Sequence, residues 1–159
     1  KQAPQVMKSC GDDILGMIIT SHSLEEPHIL GHRLAKHLRG GDLLGLSGEL
    51  GAGKTVLIKG LATGLGIKRV VRSPSFNLMR VYKLPRPLHG IKTLAHLDCY
   101  RLTAPAEAVD IGLLDYLADK KTLTVIEWPE KIKKILPKNR TKTIRFEILS
   151  ENVRRLTLL

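Results

Sequence analysis

The octapeptide GELGAGKT, residues 48–55, constrains this chain more than any other part of its 159-residue sequence. It matches the phosphate-loop pattern G-x-x-x-x-G-K-[ST] at every fixed position. Its glycines allow backbone N–H groups to curve around phosphates, where a Cβ would obstruct them. A short apolar run at 42–47 precedes the loop, and a helical pattern follows it to about Leu65. Strand, loop and helix together predict a site for a nucleoside triphosphate.

The residue types in the loop also predict how the nucleotide is held. Lys54 is expected to reach the β- and γ-phosphates, and the Thr55 hydroxyl is expected to be a ligand of Mg²⁺. The dipole of the following helix favours the same anion. The guanine-recognition motif N-K-x-D does not occur in the sequence. ATP is therefore the predicted nucleotide.

Two carboxylates stand at the ends of apolar runs predicted to lie beside the loop strand, where hydrolysis needs them. Asp98 ends LAHLD and Glu127 ends LTVIE. We predict that one binds Mg²⁺, directly or through water, and that the other orients the attacking water. The stretch RSPSF at 72–76 is either a switch loop that contacts the γ-phosphate or a plain turn. Arg101 is expected to pair with a phosphate, with a partner's carboxylate or with a surface neighbour.

The hydrophobic pattern predicts an α/β fold, a P-loop NTPase-like sheet flanked by helices with a C-terminal β-hairpin. Strands are predicted at 17–20, 42–47, 76–82, 93–97, 122–126, 141–149 and 153–158, with a loop at 85–90. Helices are predicted from a capping box at Ser23 to about Arg39, after the phosphate loop, and over 105–120 with a break near Gly112. Residues 1–159 are expected to form one domain, with 1–16 as a poorly ordered extension.

The charge of the chain is uneven along its length. The net charge is +11, and residues 68–101 and 131–159 hold 17 of the 26 basic side chains. Such stretches steer a polyanion such as RNA, dock an acidic protein surface or form a solvated face. No run approaches the roughly 18 apolar residues of a membrane span. Cys10 and Cys99 lie far apart, which suits a reducing cytosol, so a cytoplasmic protein without membrane contact is expected.

Two further features are interpreted as structural. His28 and His32 have the spacing of two ligands on one helix face, but no third ligand stands nearby in the sequence. We therefore predict solvent-facing histidines and no metal other than Mg²⁺. Trp128 is predicted to be a core residue that also walls the nucleotide site.

Four linked motifs, GELGAGKT, SPSFNLMRVY, HLDCYRL and VIEWPEK, resemble those of the TsaE (YjeE) family of bacterial P-loop ATPases. They follow one another in order and with fitting spacing over about 23–131. The resemblance implies an ATPase subunit, weak alone, of the machinery that makes threonylcarbamoyladenosine beside the anticodon of tRNA. It also implies TsaD-like and TsaB-like partner proteins, with contact to tRNA weak or indirect.

The resemblance assigns roles to individual residues. Thr55 and Glu127 match the family's magnesium-binding pair, and Lys54 matches its phosphate lysine. Asp98 matches the carboxylate that faces the γ-phosphate, and Ser75 falls at the switch threonine. The predicted catalytic residues are thus Asp98, Glu127 and Lys54. The predicted nucleotide-binding residues are Gly48, Gly51, Ala52, Gly53, Lys54, Thr55, Val56, Ser75 and Asp98, and Ser23 lies where contacts to the base begin.

The sequence departs from the family pattern at two of these positions. Ser75 keeps the hydroxyl of the usual threonine but lacks the methyl group that restricts its rotamer. Cys99 replaces a commonly aliphatic residue and is expected to act as a small hydrophobe.

Two other functions stay open on the sequence. A small-molecule or nucleoside kinase would need an Arg-rich lid, for which the loop at 85–90 is short. A non-catalytic RNA-binding module would use ATP only as a structural ligand, and the two basic stretches favour it.

Overall fold

The computed structural model describes residues 16–74 and 77–159. Its strands are β1 (Ile18–Ser21), β2 (Leu43–Ser47), β3 (Met79–Leu88), β4 (Ile91–Asp98), β5 (Thr122–Glu127), β6 (Thr141–Ile148) and β7 (Arg154–Leu158). Its helices are α1 (Glu26–Leu34), α2 (Lys54–Gly64), α3 (Pro105–Asp110) and α4 (Leu113–Ala118), and a 3₁₀ segment covers Pro129–Ile135. Within these residues the strands form one sheet in the order β1-β7-β6-β2-β5-β4-β3. The predicted α/β fold with its C-terminal hairpin is confirmed.

The strand directions bring one edge of the sheet together around the phosphate loop. β2 leads into the loop and runs parallel to β5 on one side and to β6 on the other. β4 is parallel to β5, so β2, β4 and β5 all end at the same edge. β7 is antiparallel to β6 and to β1, so β7 begins and β1 ends at this edge as well. Residues from both sides of β2 can therefore meet over the loop.

Each face of the sheet is covered by an apolar cluster. The larger cluster joins α1 and α2 to the sheet, and the smaller one joins α3, α4 and the 3₁₀ segment to its other face. The buried side chains of both clusters are aliphatic, with Phe146 as the aromatic exception among them and the small Cys99 in the second. Helices on both faces hold the sheet edge and its loops in fixed positions.

The two helices of the larger cluster touch through their backbones. A Cβ built on Gly31 would come within 2.0 Å of the Leu57 carbonyl oxygen, and one on Gly60 would come within 1.9 Å of the His28 carbonyl oxygen. No side chain fits at either position, so glycine permits the close approach. The start of α1 is thereby fixed against the helix that follows the phosphate loop.

Two local predictions differ from the structure, and one element has no counterpart among the predictions. The first helix ends at Leu34 instead of Arg39, although the apolar spacing continues to the fully buried Leu38 in the following segment. The predicted loop at 85–90 is wrong, because residues 85–88 belong to β3 and the chain reverses at His89 and Gly90. β3 is an edge strand, where a proline without an N–H need not break the ladder. The 3₁₀ segment was not predicted.

Some sequence predictions lie outside the described residues. These are Ser75, Phe76 at the start of the predicted strand, and residues 1–15 of the expected extension. Among the described helices, none is long and apolar enough to cross a membrane.

Candidate nucleotide site

The backbone of the phosphate loop uses conformations that favour glycine. Gly48, Gly51 and Gly53 have φ values of 138°, 76° and 102°. A Cβ on Gly48 would also lie 2.6 Å from the carbonyl oxygen of Phe146 in β6, so the neighbouring strand excludes any side chain there. The loop can therefore keep its curve only with these glycines, and α2 begins directly after Gly53.

The lysine of the loop is buried and held by carbonyl oxygens. Lys54 is 4% exposed, and its Nζ donates to the carbonyl oxygens of Gly48 at 2.5 Å and Glu49 at 2.8 Å. The same Nζ lies 4.4 Å from the centroid of the Trp128 ring. Burial lowers the pKa of Lys54, and the nearby Glu127 carboxylate opposes that shift. A phosphate in the loop would stabilise the charged ammonium.

The hydroxyl of Thr55 meets the carboxylate of Glu127 across the site. Thr55 Oγ1 lies 3.2 Å from both carboxylate oxygens, although the two residues are 72 positions apart in the sequence. Oxygen atoms of a hydroxyl and a carboxylate are the ligands that Mg²⁺ prefers. The pair that the family resemblance assigns to magnesium is thus brought together at the first turn of α2, and its donor set fits that ion.

A buried histidine holds the same carboxylate from behind. His96 Nε2 lies 2.8 Å from Glu127 Oε1, with His96 fully buried and Glu127 4% exposed. His96 Nδ1 contacts no hydrogen-bond partner within the described residues, which favours the tautomer that carries its proton on Nε2. The sequence reasoning missed His96. The signal was available, because it is a polar residue inside the otherwise apolar run LAHL.

Asp98 is placed beside Glu127 but one strand further from the loop. Both residues were predicted to end strands next to β2; Glu127 does so on β5, whereas Asp98 ends β4. The two are register partners, which explains how Asp98 still reaches the site. Its Oδ2 accepts a hydrogen bond from the Ser73 hydroxyl at 3.1 Å, and its Oδ1 accepts one from the Tyr100 N–H at 2.9 Å. Its carboxylate is therefore fixed in orientation.

Trp128 walls the site and is only half-buried. Its backbone lies in the left-handed region, with φ of 60° and ψ of 50°. The Trp128 N–H donates to the Leu46 carbonyl oxygen at 3.0 Å, and its ring lies 5.2 Å from that of Tyr100 between centroids. The unusual backbone turns the ring towards Lys54, so the prediction of a wall residue agrees with the position.

A cavity of about 470 Å³ joins these residues. Its lining includes Gly51, Ala52, Gly53, Lys54, Thr55, Val56, Ser73, Asp98, Tyr100, Arg101, Glu127 and Trp128. Six lining residues were not singled out from the sequence as site residues: Leu24, Pro27, Leu50, Leu78, Tyr100 and Arg154. Gly48, which was predicted to bind the nucleotide, does not line the cavity. Ser23, which was predicted to lie where contacts to the base begin, does not line it either, but the next residue, Leu24, does.

The remaining candidates take no part in the cavity. Cys99 is fully buried, and burial raises the pKa of its thiol to about 12, which agrees with a small inert hydrophobe. His32 is exposed and His28 is half-buried on α1.

Comparison with known proteins shows the family of the chain. Residues 21–156 match the sequence profile of the family described as "Threonylcarbamoyl adenosine biosynthesis protein TsaE". The chain belongs to the TsaE family. The family match includes the phosphate loop, both carboxylates and Arg154, the first residue of β7.

Individual TsaE relatives are similar over most of the chain. The TsaE protein of Treponema pallidum is 37% identical over 142 residues, covering 89% of this chain and 99% of the relative. The TsaE protein of Bacillus subtilis is 37% identical over 120 residues, covering 76% of this chain and 71% of the relative. Among solved structures, Bacillus subtilis YdiB matches with a TM-score of 0.72 and 29% identity, over 89% of this chain and 83% of that one.

Proposed function

We propose that this TsaE-family chain binds ATP with Mg²⁺ and hydrolyses the ATP, as a subunit of the machinery that makes threonylcarbamoyladenosine in tRNA. The observation that carries the proposal is the meeting of Thr55 with Glu127 at 3.2 Å beside the buried Lys54. The names of the relatives, proteins of tRNA threonylcarbamoyladenosine biosynthesis, support the pathway.

The phosphate end of the nucleotide is proposed to lie over Lys54 and the first turn of α2. Within the described residues, Lys54 Nζ donates only to the carbonyl oxygens of Gly48 and Glu49. We expect it to leave these neutral acceptors for the charged oxygens of the β- and γ-phosphates when a nucleotide binds. Thr55 and Glu127 would hold Mg²⁺, which when bound neutralises charge on the transferring phosphoryl group. His96 keeps the Glu127 carboxylate turned towards Thr55.

Asp98 is proposed to orient the attacking water. Ser73 and the Tyr100 N–H fix one lone pair on each carboxylate oxygen, and the others can accept a hydrogen bond from water. A bond forms between the water oxygen and the γ-phosphorus as the bond to the β–γ bridging oxygen breaks. The products are ADP and inorganic phosphate, and the water's proton leaves with the phosphate or passes to Asp98.

We further propose that TsaB-like and TsaD-like proteins complete the site. Tyr100 and Arg101 line the cavity at its exposed side, where a docked surface can add groups that stabilise the charge of the transition state. Such partner-supplied groups are worth roughly 10³–10⁵ in rate in related nucleotide hydrolases. Turnover by the chain alone is therefore expected to be slow.

The test is phosphate release from ATP by the full chain, alone and with purified TsaB and TsaD proteins, for wild type and Lys54→Ala. Strong stimulation by the pair that disappears in Lys54→Ala supports the proposal. Equal rates with and without the pair contradict the partner-driven part. Absence of ATP binding by the wild type contradicts the proposal as a whole.

The two alternatives predict different results in two further measurements, transfer of phosphate to an acceptor and binding of tRNA. A kinase would transfer phosphate to an added acceptor, yet residues 85–88 lie in β3 and leave only a tight turn before β4. An RNA-binding module would bind tRNA tightly without partners, and its affinity would fall steeply with salt. The carboxylates beside the loop argue against a purely structural use of ATP, and the tight turn before β4 argues against a kinase lid.

A further inference from the structure

The turn that follows β4 holds one oxygen of the Asp98 carboxylate. The turn closes where the Leu102 N–H donates to the Cys99 carbonyl oxygen at 3.0 Å, and its middle residues Tyr100 and Arg101 line the cavity. The Tyr100 N–H donates to Asp98 Oδ1 at 2.9 Å. The direction of the carboxylate therefore depends on how firmly this turn is held.

Lys131 binds the turn through its ammonium group. Its Nζ donates to the carbonyl oxygens of Tyr100 at 2.5 Å and Leu102 at 3.3 Å, and it lies 5.7 Å from the centroid of the Tyr100 ring. Hydrogen bonds from a charged donor are stronger than those between neutral groups. Among the described residues, no carboxylate forms an ion pair with Lys131, so its ammonium group is committed to the turn.

The backbone of Lys131 is anchored next to the other carboxylate of the site. Lys131 belongs to the 3₁₀ segment, and its N–H donates at 3.2 Å to the carbonyl oxygen of Trp128, the residue that follows Glu127. The Cys99 N–H donates to the Glu127 carbonyl oxygen at 3.0 Å. Lys131 thus connects the segment after β5 to the turn after β4, which are the parts of the chain that follow the two carboxylates.

We propose that Lys131 is a positioning residue for hydrolysis, because its hold on the turn after β4 keeps the Asp98 carboxylate directed at the attacking water. The inference rests on the proposed function, since it needs ATP hydrolysis in which Asp98 takes part. Lys131 is not among the described residues that line the cavity, so its effect must pass through the turn. The sequence assigned it no role, although it ends the stretch VIEWPEK.

The test is a double-substitution cycle between Lys131 and Asp98. The rate of ATP turnover at saturating ATP and Mg²⁺ is measured for wild type, Lys131→Met, Asp98→Asn and the double variant, under the conditions in which wild type is fastest. Methionine keeps an apolar stem without the donors, and asparagine keeps an oxygen for the Tyr100 N–H without the charge. Lys131→Arg restores donors, and Lys134→Met is the matched control, since Lys134 is exposed in the same 3₁₀ segment.

Two further measurements separate positioning from binding and from folding. Dissociation constants for ATP and for inorganic tripolyphosphate, which has the phosphates of ATP without its nucleoside, are measured by calorimetry on the same proteins. Thermal unfolding of each variant is recorded in parallel. Because Lys131 is exposed, its replacement should leave the fold intact.

Lys131→Met should lower the turnover rate about tenfold, because misplacing a reacting group by about 1 Å costs up to about a hundredfold. Both dissociation constants should stay within about twofold, Lys131→Arg should recover much of the rate, and Lys134→Met should match wild type. In the Asp98→Asn background, Lys131→Met should change the rate by less than about twofold, because the carboxylate that it positions is already lost.

Three results overturn the inference. Rate losses that multiply in the double variant would mean that Lys131 acts independently of Asp98. Weaker binding of ATP and tripolyphosphate by Lys131→Met would mean that Lys131 supports the whole site, and an unchanged rate would mean that the turn holds itself.

Failure of the proposed function gives a different result. If wild type does not turn over ATP, or if Asp98→Asn keeps the full rate, the hydrolysis mechanism fails and the inference fails with it. Either result appears in proteins with an intact Lys131, which distinguishes it from the three results above.

Discussion

The two sides of the phosphate loop are built in different ways. On the β5 and β4 side, carboxylates end adjacent strands and are held by hydrogen bonds, as when Asp98 accepts from Ser73 and Glu127 accepts from His96. On the β7 and β1 side, exposed Leu24 and Leu50 surround the buried Arg154. Under the proposed function, the first side holds charges where phosphate chemistry needs them, and the second offers an apolar surface. We call them the reaction side and the recognition side, and we expect catalysis and nucleotide recognition to depend on these separate parts of one cavity.

A substitution at Gly48, the first residue of the phosphate loop, should abolish the function of both sides of the cavity. Gly48→Ala puts a Cβ 2.6 Å from the Phe146 carbonyl oxygen at a φ of 138°, so the loop must move. We expect ATP and tripolyphosphate binding both to fall below detection in calorimetry, with about 1–2 kcal/mol lost in the free energy of unfolding. Gly90→Ala is the control, because its φ is 79° but its Cβ would meet nothing closer than 3.9 Å. Normal binding by Gly48→Ala would contradict the loop geometry.

Loss of one charge should break only the reaction side. Glu127→Gln keeps the shape of the side chain but removes the carboxylate that faces Thr55. We expect ATP turnover to fall by about a hundredfold or more, because metal-ion charge stabilisation is worth several kcal/mol. The dissociation constant for ATP, measured without Mg²⁺, should stay within about twofold of the wild-type value. Glu130→Gln is the control, because Glu130 is exposed, and it should match wild type in both turnover and ATP binding. Full turnover by Glu127→Gln would exclude it as the magnesium ligand.

The histidine behind that carboxylate should have a smaller effect on the same side. His96→Leu removes the donor to Glu127 Oε1, and we expect turnover at limiting Mg²⁺ to fall about 10–100-fold. His96→Gln restores a donor near the Nε2 position and should recover much of the loss. If the two variants match in turnover and differ only in melting temperature, His96 supports the fold and not the position of Glu127.

The smallest change should affect only the recognition side. Leu24→Ala removes apolar surface that we expect the base to cover, which predicts about threefold weaker ATP binding. Tripolyphosphate binding and the free energy of unfolding should not change, because Leu24 is 54% exposed. Ile18→Ala, at a 62% exposed position outside the cavity, is the control. Weaker tripolyphosphate binding by Leu24→Ala would remove the distinction between the two sides.

The sequence predicted the reaction side far better than the recognition side, and the reason is physical. Lys54 and Thr55 belong to a motif whose spacing indicates their role, and Glu127 ends an apolar run, with its magnesium role implied by the family resemblance. The recognition side joins residues from 24 to 154, of which only Leu50 stands in a motif, and the fold brings them together. The prediction of a loop at 85–90 was wrong for another reason. Prolines usually mark a loop, but an edge strand such as β3 tolerates them.

Trp128 is the single tryptophan of the chain, and its ring lies 4.4 Å from the ammonium group of Lys54. A left-handed backbone at a bulky residue costs of order 1–3 kcal/mol and persists only when its surroundings hold it. If Lys54 turns to phosphate as proposed, the indole loses a charged neighbour, and we expect its fluorescence emission to change in wavelength and intensity. The intrinsic fluorescence of Trp128 should therefore report nucleotide binding in a titration without any added label.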